Sequence, residues 1–261
     1  MLAVSYIRGK DGSVAACDFG HLFGQGSFKY VYEGKFVKGP RTGSKCVFKV
    51  FKEGSVYASA YFAEELTVYQ KTARIVKNFN SARIFEHSVG FSVPEIWTAE
   101  NGSKGMVEPM LSNFRKFNSN SGAVIPFGRT GEAMQALSHF SYHISNGDTL
   151  FCDIQGAIHS NGDVTLTDPV VMSRKGRYGP TDLRDDGIRN FMELHQCGAY
   201  CRVDWNRPGS VPRRVVPHQV GTFMVRPSPQ WQQQRAGLFP AGGHGQDYLH
   251  NLRVMERFNQ K

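Results

Sequence analysis

The segment from Leu150 to Pro169 contains residues whose types suit the binding of a divalent cation. It reads Leu-Phe-Cys-Asp-Ile-Gln-Gly-Ala-Ile-His-Ser-Asn-Gly-Asp-Val-Thr-Leu-Thr-Asp-Pro, with carboxylates at Asp153 and Asp168 and a side-chain amide at Gln155. Hard oxygen ligands of this kind suit Mg²⁺, and phosphate oxygens and water commonly complete its octahedron. The segment therefore predicts a magnesium site that works with a phosphorylated ligand.

A hairpin is needed to bring these three side chains together. The Asn-Gly pair at 161–162 predicts a two-residue turn, because both residue types tolerate a positive φ. With such a turn, Gln155 lies directly opposite Asp168, and Asp153 lies two residues from Gln155 on the same face of its strand. From the register alone, a polar, solvated hairpin face without a site explains the same pattern and is slightly favoured.

A second group has the residue types of a zinc site. His195, Cys197 and Cys201 lie within seven residues, and His139 is available upstream as a fourth ligand. Imidazole and thiolate are good zinc ligands, so this spacing can complete much of a tetrahedral shell. A helix end with two buried free thiols explains the same spacing, and His139 is one of nine histidines.

A third group could bind phosphate. The loop at 23–29 reads Phe-Gly-Gln-Gly-Ser-Phe-Lys, and Lys49 lies in a short apolar run that follows it. A glycine loop between strands can direct backbone N–H groups at phosphates, and a lysine on a strand can neutralise their charge. Each signal is weak alone, because Gly-x-Gly is common in hairpins and a strand lysine is usually solvated.

Periodicity predicts the elements that must position these groups. Apolar and small residues recur at helical spacing over 59–78, and strand-like runs flank this segment. The pattern predicts a small α+β lobe followed by a second lobe. The predicted elements are a strand, loop and strand over 23–36, a strand at 46–51, the helix at 59–78, a strand at 105–110, a loop at 113–122, a helix at 132–142, the hairpin at 150–168 and a helix at 187–196.

Composition indicates a soluble intracellular protein. The chain has 261 residues, 40% of them hydrophobic, and no apolar stretch long enough to span a bilayer. The first residues do not resemble a secretory signal, so we expect a cytoplasmic location without membrane insertion. Five cysteines do not suggest a disulfide framework, and reduced thiols or metal ligands are the better interpretation.

The net charge of +9 is concentrated at the C-terminal end. From Arg202 onward there are nine Lys/Arg against three Asp/Glu, in a stretch rich in proline and glutamine. We expect residues 206–261 to form a partly disordered extension with a short helix at 247–258. Its arginines would serve, if anything, to dock acidic partners.

In their order along the chain, these motifs resemble the alpha-kinase family, the atypical Ser/Thr protein kinases that include myosin heavy chain kinases, elongation factor 2 kinase and channel-linked kinases. The most specific matches are Cys-Asp-Ile-Gln-Gly at 152–156, Leu-Thr-Asp-Pro at 166–169 and Gly-Ile-Arg-Asn-Phe-Met-Glu-Leu-His-Gln-Cys-Gly-Ala-Tyr-Cys at 187–201. The resemblance implies a two-lobed α+β kinase-like fold with a zinc-stabilised C-terminal lobe. The catalytic domain would span 1–205, with lobes at about 1–107 and 108–205.

The resemblance also implies an ATP site. Lys49 would contact the phosphates, and Lys29 would assist from a position that usually holds Arg. Glu108 and Met110 would lie at the hinge that binds the adenine. A Lys/Asn-rich loop near the nucleotide, which aligns with the family after one residue is skipped, would contain Lys116, Asn118 and Asn120.

For catalysis, the resemblance implies that Asp153 positions the substrate hydroxyl while Gln155 and Asp168 hold magnesium. The implied zinc ligands are His139, His195, Cys197 and Cys201. One segment departs from the family: the pattern Gly-x-Gly-Asn-x-Gly-x-x-Gly is reduced at 179–187 to its outer glycines, which leaves peptide specificity open. The hairpin at 150–168 is also longer than in several members.

We therefore expect a Ser/Thr protein kinase that uses ATP, Mg²⁺ and a structural Zn²⁺ and that acts on a protein substrate. One alternative is a pseudokinase that binds nucleotide or a partner without turnover. Another is a basic, zinc-containing nucleic-acid-binding module. The sequence lacks a recognisable nucleic-acid-reading motif, so we expect no specific binding of nucleic acid.

Overall fold

The computed structural model describes residues 4–25, 29–52, 58–179 and 181–209. The described residues form two compact units, one built from residues up to 59 together with 94–110, and one built from 60–93 together with 111 onward. In chain order, the elements are β1 (Val4–Arg8), β2 (Val14–Gln25), β3 (Lys29–Lys38), β4 (Lys45–Phe51), α1 (Ala58–Ser81), β5 (Val89–Phe91), β6 (Glu95–Ala99), β7 (Lys104–Pro109), β8 (Phe114–Lys116), α2 (Gly128–Ile144), β9 (Thr149–Cys152), β10 (Gln155–Ile158), β11 (Val164–Thr167), β12 (Val170–Ser173) and α3 (Arg184–Leu194).

The first unit is a closed barrel with the strand order β1-β2-β3-β4-β7-β6. Its apolar interior is buried and contains Ile7, Ala15, Cys17, Phe36, Cys46, Phe48, Trp97, Ala99 and Val107. Strand β4 pairs with β3 on one side and with β7 on the other. Because Cys46 to Lys49 are all buried, both faces of this part of β4 are covered.

The second unit combines two small sheets with the helices. One sheet has the order β5-β11-β10-β8, and the other pairs β12 with β9. The sequence predicts residues 60–93 in the first lobe, but they group with this second unit. The physical reason is that α1 contributes Ile75, Val76 and Phe79 to the main core of the second unit.

The predicted α+β composition and the three predicted helices are confirmed, with boundaries that differ by a few residues at each end. The segment 113–122 is not only loop, because β8 lies within it and pairs with β10. All five cysteines are free. Among the described helices, none is both long and apolar enough to cross a membrane.

The predicted two-residue turn of the hairpin is wrong. His159 N–H donates to the Asp163 carbonyl oxygen at 2.8 Å, and Gly162 N–H donates to the His159 carbonyl oxygen at 2.9 Å. The loop therefore has three residues, and Gly162 has the positive φ of 89° that such loops place at their last position. The extra loop residue shifts the register by one, so that Gln155 faces Thr167 and not Asp168.

Most of the predicted C-terminal extension, including the predicted helix at 247–258, lies outside the described residues. Residues 206–209 belong to the described part and follow the buried Trp205.

Candidate active site and metal centre

Asp153 and Asp168 interrupt the two arms of the long hairpin. Asp153 lies between β9 and β10, and Asp168 lies between β11 and β12. The strand pairing on both sides of this interruption has one register, since Cys152 faces Val170 and Gln155 faces Thr167. The prediction that Asp153 and Gln155 share one strand is therefore wrong. The two aspartates lie instead where the hairpin passes from one sheet to the other.

Asp153 is fully buried and forms an ion pair. Lys116 Nζ lies 2.8 Å from Asp153 Oδ1, and both side chains are almost inaccessible to solvent. Burial raises the pKa of the Asp153 carboxyl, while Lys116 and the backbone N–H of Asn120 act in the opposite direction. Asp168 also raises this pKa, because it places a second negative charge nearby. The site thus combines a buried carboxylate with a matched cation.

Gln155 is buried beside both aspartates. Its Nε2 lies 3.3 Å from the Asp168 carbonyl oxygen and 3.5 Å from Asp153 Oδ2. Its Oε1 has no hydrogen-bond partner among the described residues, and the same holds for Asn120 Oδ1. A buried amide oxygen without a partner costs free energy unless a ligand satisfies it. Gln155 thus offers an oxygen ligand of the kind that Mg²⁺ prefers.

Asn118 fixes the backbone next to Asp153. Its Nδ2 donates to Gln135 Oε1 at 3.1 Å and to Ser138 Oγ at 3.0 Å, and both acceptors lie on α2. Its Oδ1 accepts the backbone N–H of Ile154 at 2.9 Å. The amide thus ties the residue after Asp153 to a helix.

The first unit contains the remaining predicted ATP-binding residues. Lys49 Nζ on β4 lies 2.8 Å from Glu108 Oε1 on β7, and both side chains are buried. Met110 follows β7, and its backbone N–H donates to the Lys45 carbonyl oxygen at 3.0 Å. Lys29 on β3 lies with its Nζ 5.9 Å from the centre of the Phe51 ring. Lys49 is therefore a buried, ion-paired lysine and not a solvated one.

The four predicted zinc ligands converge. One ligand atom from each of His139, His195, Cys197 and Cys201 lies within 4.8 Å of all the others. Cys197 Sγ is 3.4 Å from His139 Nδ1 and 3.7 Å from His195 Nε2, and Cys201 Sγ is 3.5 Å from His195 Nε2. Neighbouring N and S ligands of a tetrahedral zinc are about 3.6 Å apart, given the usual Zn–N and Zn–S bond lengths. The donor set and spacing fit Zn²⁺.

The residues after Cys201 support this cluster. His139 Nε2 lies 3.0 Å from the Asn206 carbonyl oxygen, which requires the ring proton on Nε2 and leaves Nδ1 free to act as a ligand. The Trp205 ring packs edge-on against His139 with centroids 5.1 Å apart, and the Arg207 guanidinium contacts Cys197 Sγ.

Burial also shifts the pKa values of two residues in the cluster. It lowers the pKa of His195 to about 4, with a smaller contribution from His139. It raises the pKa of Cys201 to about 12, with a further contribution from Cys197. Neutral imidazole is the metal-binding form, whereas a thiol must lose its proton when a metal binds.

Comparison with known proteins identifies the family. A model of the alpha-kinase family matches residues 24–201, which is more than half of the chain. The chain belongs to the alpha-kinase family. Alpha-protein kinase 1 of Dictyostelium discoideum is 29% identical over 255 residues, covering 92% of this chain and 18% of that protein. Human transient receptor potential cation channel subfamily M member 6 is 37% identical over 112 residues, covering 41% of this chain and 6% of that protein.

Solved alpha-kinase structures show the same fold. The alpha-kinase domain of myosin heavy chain kinase A in complex with AMP matches with a TM-score of 0.63 and 21% identity, over 77% of this chain and 97% of that one. An alpha kinase from Entamoeba histolytica matches with a TM-score of 0.64 and 21% identity, over 82% and 85%. The predicted alpha-kinase resemblance and the mixed sheet-and-helix alpha-kinase fold are thereby confirmed, whereas the zinc-stabilised C-terminal lobe stays a prediction. The chain spans less than a fifth of the length of the two curated relatives named above.

The segment that departs from the alpha-kinase glycine pattern is held by Asp182. Its Oδ1 accepts the backbone N–H groups of Ser173 and Arg184, each at 2.9 Å. Its Oδ2 accepts Ser173 Oγ–H at 2.7 Å and Tyr178 N–H at 3.2 Å. Arg184 stands at an inner glycine position of the pattern and adopts a φ of 60°. The carboxylate thus holds a glycine-like backbone conformation in a residue that has a side chain.

The ion pairs of Lys116 and Lys49 were not predicted from the sequence. The Lys116–Asp153 pair joins residues 37 positions apart, and the Lys49–Glu108 pair joins residues 59 positions apart. For the first pair, the sequence does single out both residues as candidates. Lys116 precedes the Asn-rich run, and Asp153 is the sole acid in Cys-Asp-Ile-Gln-Gly at 152–156. Without the pairing of β8 with β10, however, nothing in the sequence brings them together.

Proposed function

We propose that this alpha-kinase chain transfers the γ-phosphoryl group of ATP to a Ser or Thr hydroxyl of a protein. The observation that carries the proposal is the buried Asp153 carboxylate, paired with Lys116 at 2.8 Å and adjacent to Gln155. Phosphoryl transfer requires positioning and charge stabilisation more than covalent chemistry by the protein. A fixed buried carboxylate beside oxygen ligands is suited to that task.

In this proposal, Asp153 accepts a hydrogen bond from the substrate hydroxyl and orients its oxygen for attack. Lys116 keeps the Asp153 carboxylate ionised and fixed, because a buried unpaired carboxylate would otherwise be protonated. Asn118 holds the following backbone N–H and thereby limits the movement of the loop that carries Asp153. Each of these groups contributes by preorganisation, since its partners are already in place.

Gln155 and Asp168 are the residues proposed to hold Mg²⁺. The fit rests on the buried Gln155 Oε1, which has no hydrogen-bond partner among the described residues, and on the proximity of Asp168, whose backbone carbonyl oxygen lies 3.3 Å from Gln155 Nε2. When bound, Mg²⁺ neutralises charge on the phosphate oxygens. The two side chains supply two oxygens but only one negative charge, so strong binding must depend on the nucleotide phosphates.

Nucleotide binding is assigned to further residues by family membership. Lys49 and Lys29 are proposed to bind phosphate, while Glu108 and Met110 are proposed to lie at the adenine. An inactive variant of the alpha-kinase domain of myosin heavy chain kinase A was solved in complex with ATP. The buried Lys49–Glu108 pair supports a role for both residues, because a buried lysine held by a carboxylate has a fixed ammonium position.

The test is a transfer assay with labelled ATP on the wild-type chain beside Asp153→Asn. Asn is chosen because it tolerates the φ of 56° at this position. The proposal expects label on Ser or Thr of the chain itself or of a basic protein substrate, and its loss in the folded variant. Nucleotide binding without transfer by the wild type would instead favour the pseudokinase.

We further propose that His139, His195, Cys197 and Cys201 bind one structural Zn²⁺. Support comes from the donor set, from ligand-atom separations of 3.4–3.7 Å and from the hydrogen bond that fixes His139. The site would tie α2 to the segment after α3.

A cytoplasmic location and docking of acidic partners by the C-terminal extension remain proposals from composition.

A further inference from the structure

We propose that Tyr69 is a positioning residue that holds the Asp168 carboxylate in the orientation required for metal binding. The inference rests on the proposed function, because it concerns the carboxylate assigned there to Mg²⁺. It adds a residue from α1 that belongs neither to the family motifs nor to the active-site residues predicted from the sequence. Tyr69 and Asp168 both lie in the second unit.

The contact joins a fully buried tyrosine to a partly exposed aspartate. Tyr69 Oη lies 3.3 Å from Asp168 Oδ1, and the tyrosine is the donor. Tyr69 has no exposed surface. Its ring packs against Phe91 with centroids 5.5 Å apart and planes inclined by 46°. Phe91 ends β5, which pairs with β11, the strand that leads directly into Asp168.

The packing of the Tyr69 ring fixes the position of its hydroxyl group. A buried tyrosine has only two side-chain torsions, and packing against Phe91 restricts both. Asp168 itself follows the last residue of β11 and has a left-handed φ of 48°, so no ladder pairing holds its own backbone. The hydrogen bond to Oδ1 restrains rotation of the carboxylate. Removal of a group that orients a metal ligand in this way commonly weakens metal binding.

A simpler explanation is that Tyr69 is a core residue whose hydroxyl merely needs an acceptor. The two explanations predict different results for Tyr69→Phe. A core role predicts a loss of stability with unchanged metal dependence. A positioning role predicts a change in metal dependence at concentrations where the protein remains folded.

The experiment compares wild type, Tyr69→Phe and Tyr142→Phe. Tyr142 is a suitable control because it is also buried in the second unit but belongs to a core cluster that contains Leu150 and Ile188 and does not contain Tyr69. Binding of Mn²⁺ is measured by electron paramagnetic resonance in the presence of a non-hydrolysable ATP analogue. The magnesium dependence of phosphoryl transfer is measured in parallel, and folding is checked by circular dichroism and urea unfolding.

We expect Tyr69→Phe to weaken Mn²⁺ binding about ten-fold and to raise the half-saturating magnesium concentration by a similar factor. The turnover number at saturating magnesium should change much less, because excess metal repopulates the ligated state. Tyr142→Phe should leave both metal measurements at wild-type values. Phe91→Leu, which loosens the packing of the Tyr69 ring, should shift the metal dependence in the same direction by a smaller factor.

The outcomes separate this inference from the proposed function. If wild type shows nucleotide-dependent Mn²⁺ binding and transfer while folded Tyr69→Phe matches it in both measurements, the positioning role is overturned. If Tyr69→Phe does not fold, an unchanged metal dependence in Phe91→Leu overturns it equally. If wild type itself fails to bind Mn²⁺ with nucleotide, the magnesium assignment fails, and this inference fails with it.

Discussion

Asp153 and Asp168 occupy matching interruptions in the two arms of one hairpin, and both have a left-handed backbone, with φ of 56° and 48°. The register is the same before and after the interruptions. The hairpin can therefore contribute to two sheets and leave the two carboxylates at the junction between them. Left-handed conformations of residues other than glycine cost free energy and tend to occur at functional sites, and Asp tolerates them better than most residues.

Removal of the Lys116 charge should destabilise the protein. Lys116→Met leaves the Asp153 carboxylate buried without its cation, and we expect a loss of about 3–5 kcal/mol in the free energy of unfolding. Urea unfolding at pH 7 measures this change.

The control for that prediction is the double variant Lys116→Met/Asp153→Asn. It removes both charges, so most of the lost stability should return while phosphoryl transfer remains absent. A Lys116→Met protein as stable as wild type would contradict the buried ion pair.

Lys49 should contribute to stability as well as to nucleotide binding. From the sequence alone, Lys49→Ala is expected to weaken phosphate positioning and leave the fold intact. The buried pair with Glu108 changes that expectation, because the substitution removes the ammonium group that lies 2.8 Å from the buried Glu108 carboxylate. We expect Lys49→Met to lower the free energy of unfolding by about 3 kcal/mol or more. The double variant Lys49→Met/Glu108→Gln should recover most of this loss in urea unfolding.

The purified chain should contain one zinc ion after exhaustive dialysis. Cys201→Ser should lose the metal and lower the melting temperature, because a structural zinc contributes directly to folding. Cys46→Ala, a buried free cysteine in the first unit, is the matched control and should retain full zinc. Elemental analysis by mass spectrometry measures the content. Zinc-free wild-type protein that melts at the same temperature as Cys201→Ser would contradict the assignment.

Arg184→Gly should stabilise the protein. Arg184 has a φ of 60°, and glycine adopts this conformation without the steric cost imposed by a Cβ atom. We expect the free energy of unfolding, measured by thermal or urea denaturation, to increase by about 0.5–1 kcal/mol. Arg184→Ala is the control, because it removes the guanidinium but keeps the Cβ and therefore the strain. Equal effects of the two substitutions would assign the change to the side chain and not to the backbone.

The sequence was informative where local signals decide structure. Helical spacing predicted α1, α2 and α3, because an apolar stripe must face a core. The short spacing from His195 to Cys201 predicted a cluster that needs little long-range folding, and the structure brings His139 to it. These are cases in which residue type and spacing determine the geometry.

The sequence was less informative where loop length and tertiary packing decide. Asn161-Gly162 permits a two- or three-residue loop, and this difference of one residue moves Gln155 from Asp168 to Thr167. No local pattern shows that Tyr69 reaches Asp168 or that Lys116 reaches Asp153, since each contact depends on the packing of distant elements. Residue type alone likewise does not show that Asp153, Asp168 and Arg184 adopt left-handed conformations.

The most direct test of the central claim is the magnesium dependence of phosphoryl transfer in wild type, Gln155→Ala and Asp168→Asn at fixed ATP. Asn keeps the size of the side chain and tolerates the φ of 48°, so the variant removes the negative charge and replaces one carboxylate oxygen with NH2 without a change of shape. We expect Asp168→Asn to abolish transfer at every magnesium concentration and Gln155→Ala to raise the magnesium requirement. Transfer near the wild-type rate by folded Asp168→Asn would contradict the metal assignment and with it the proposed active site.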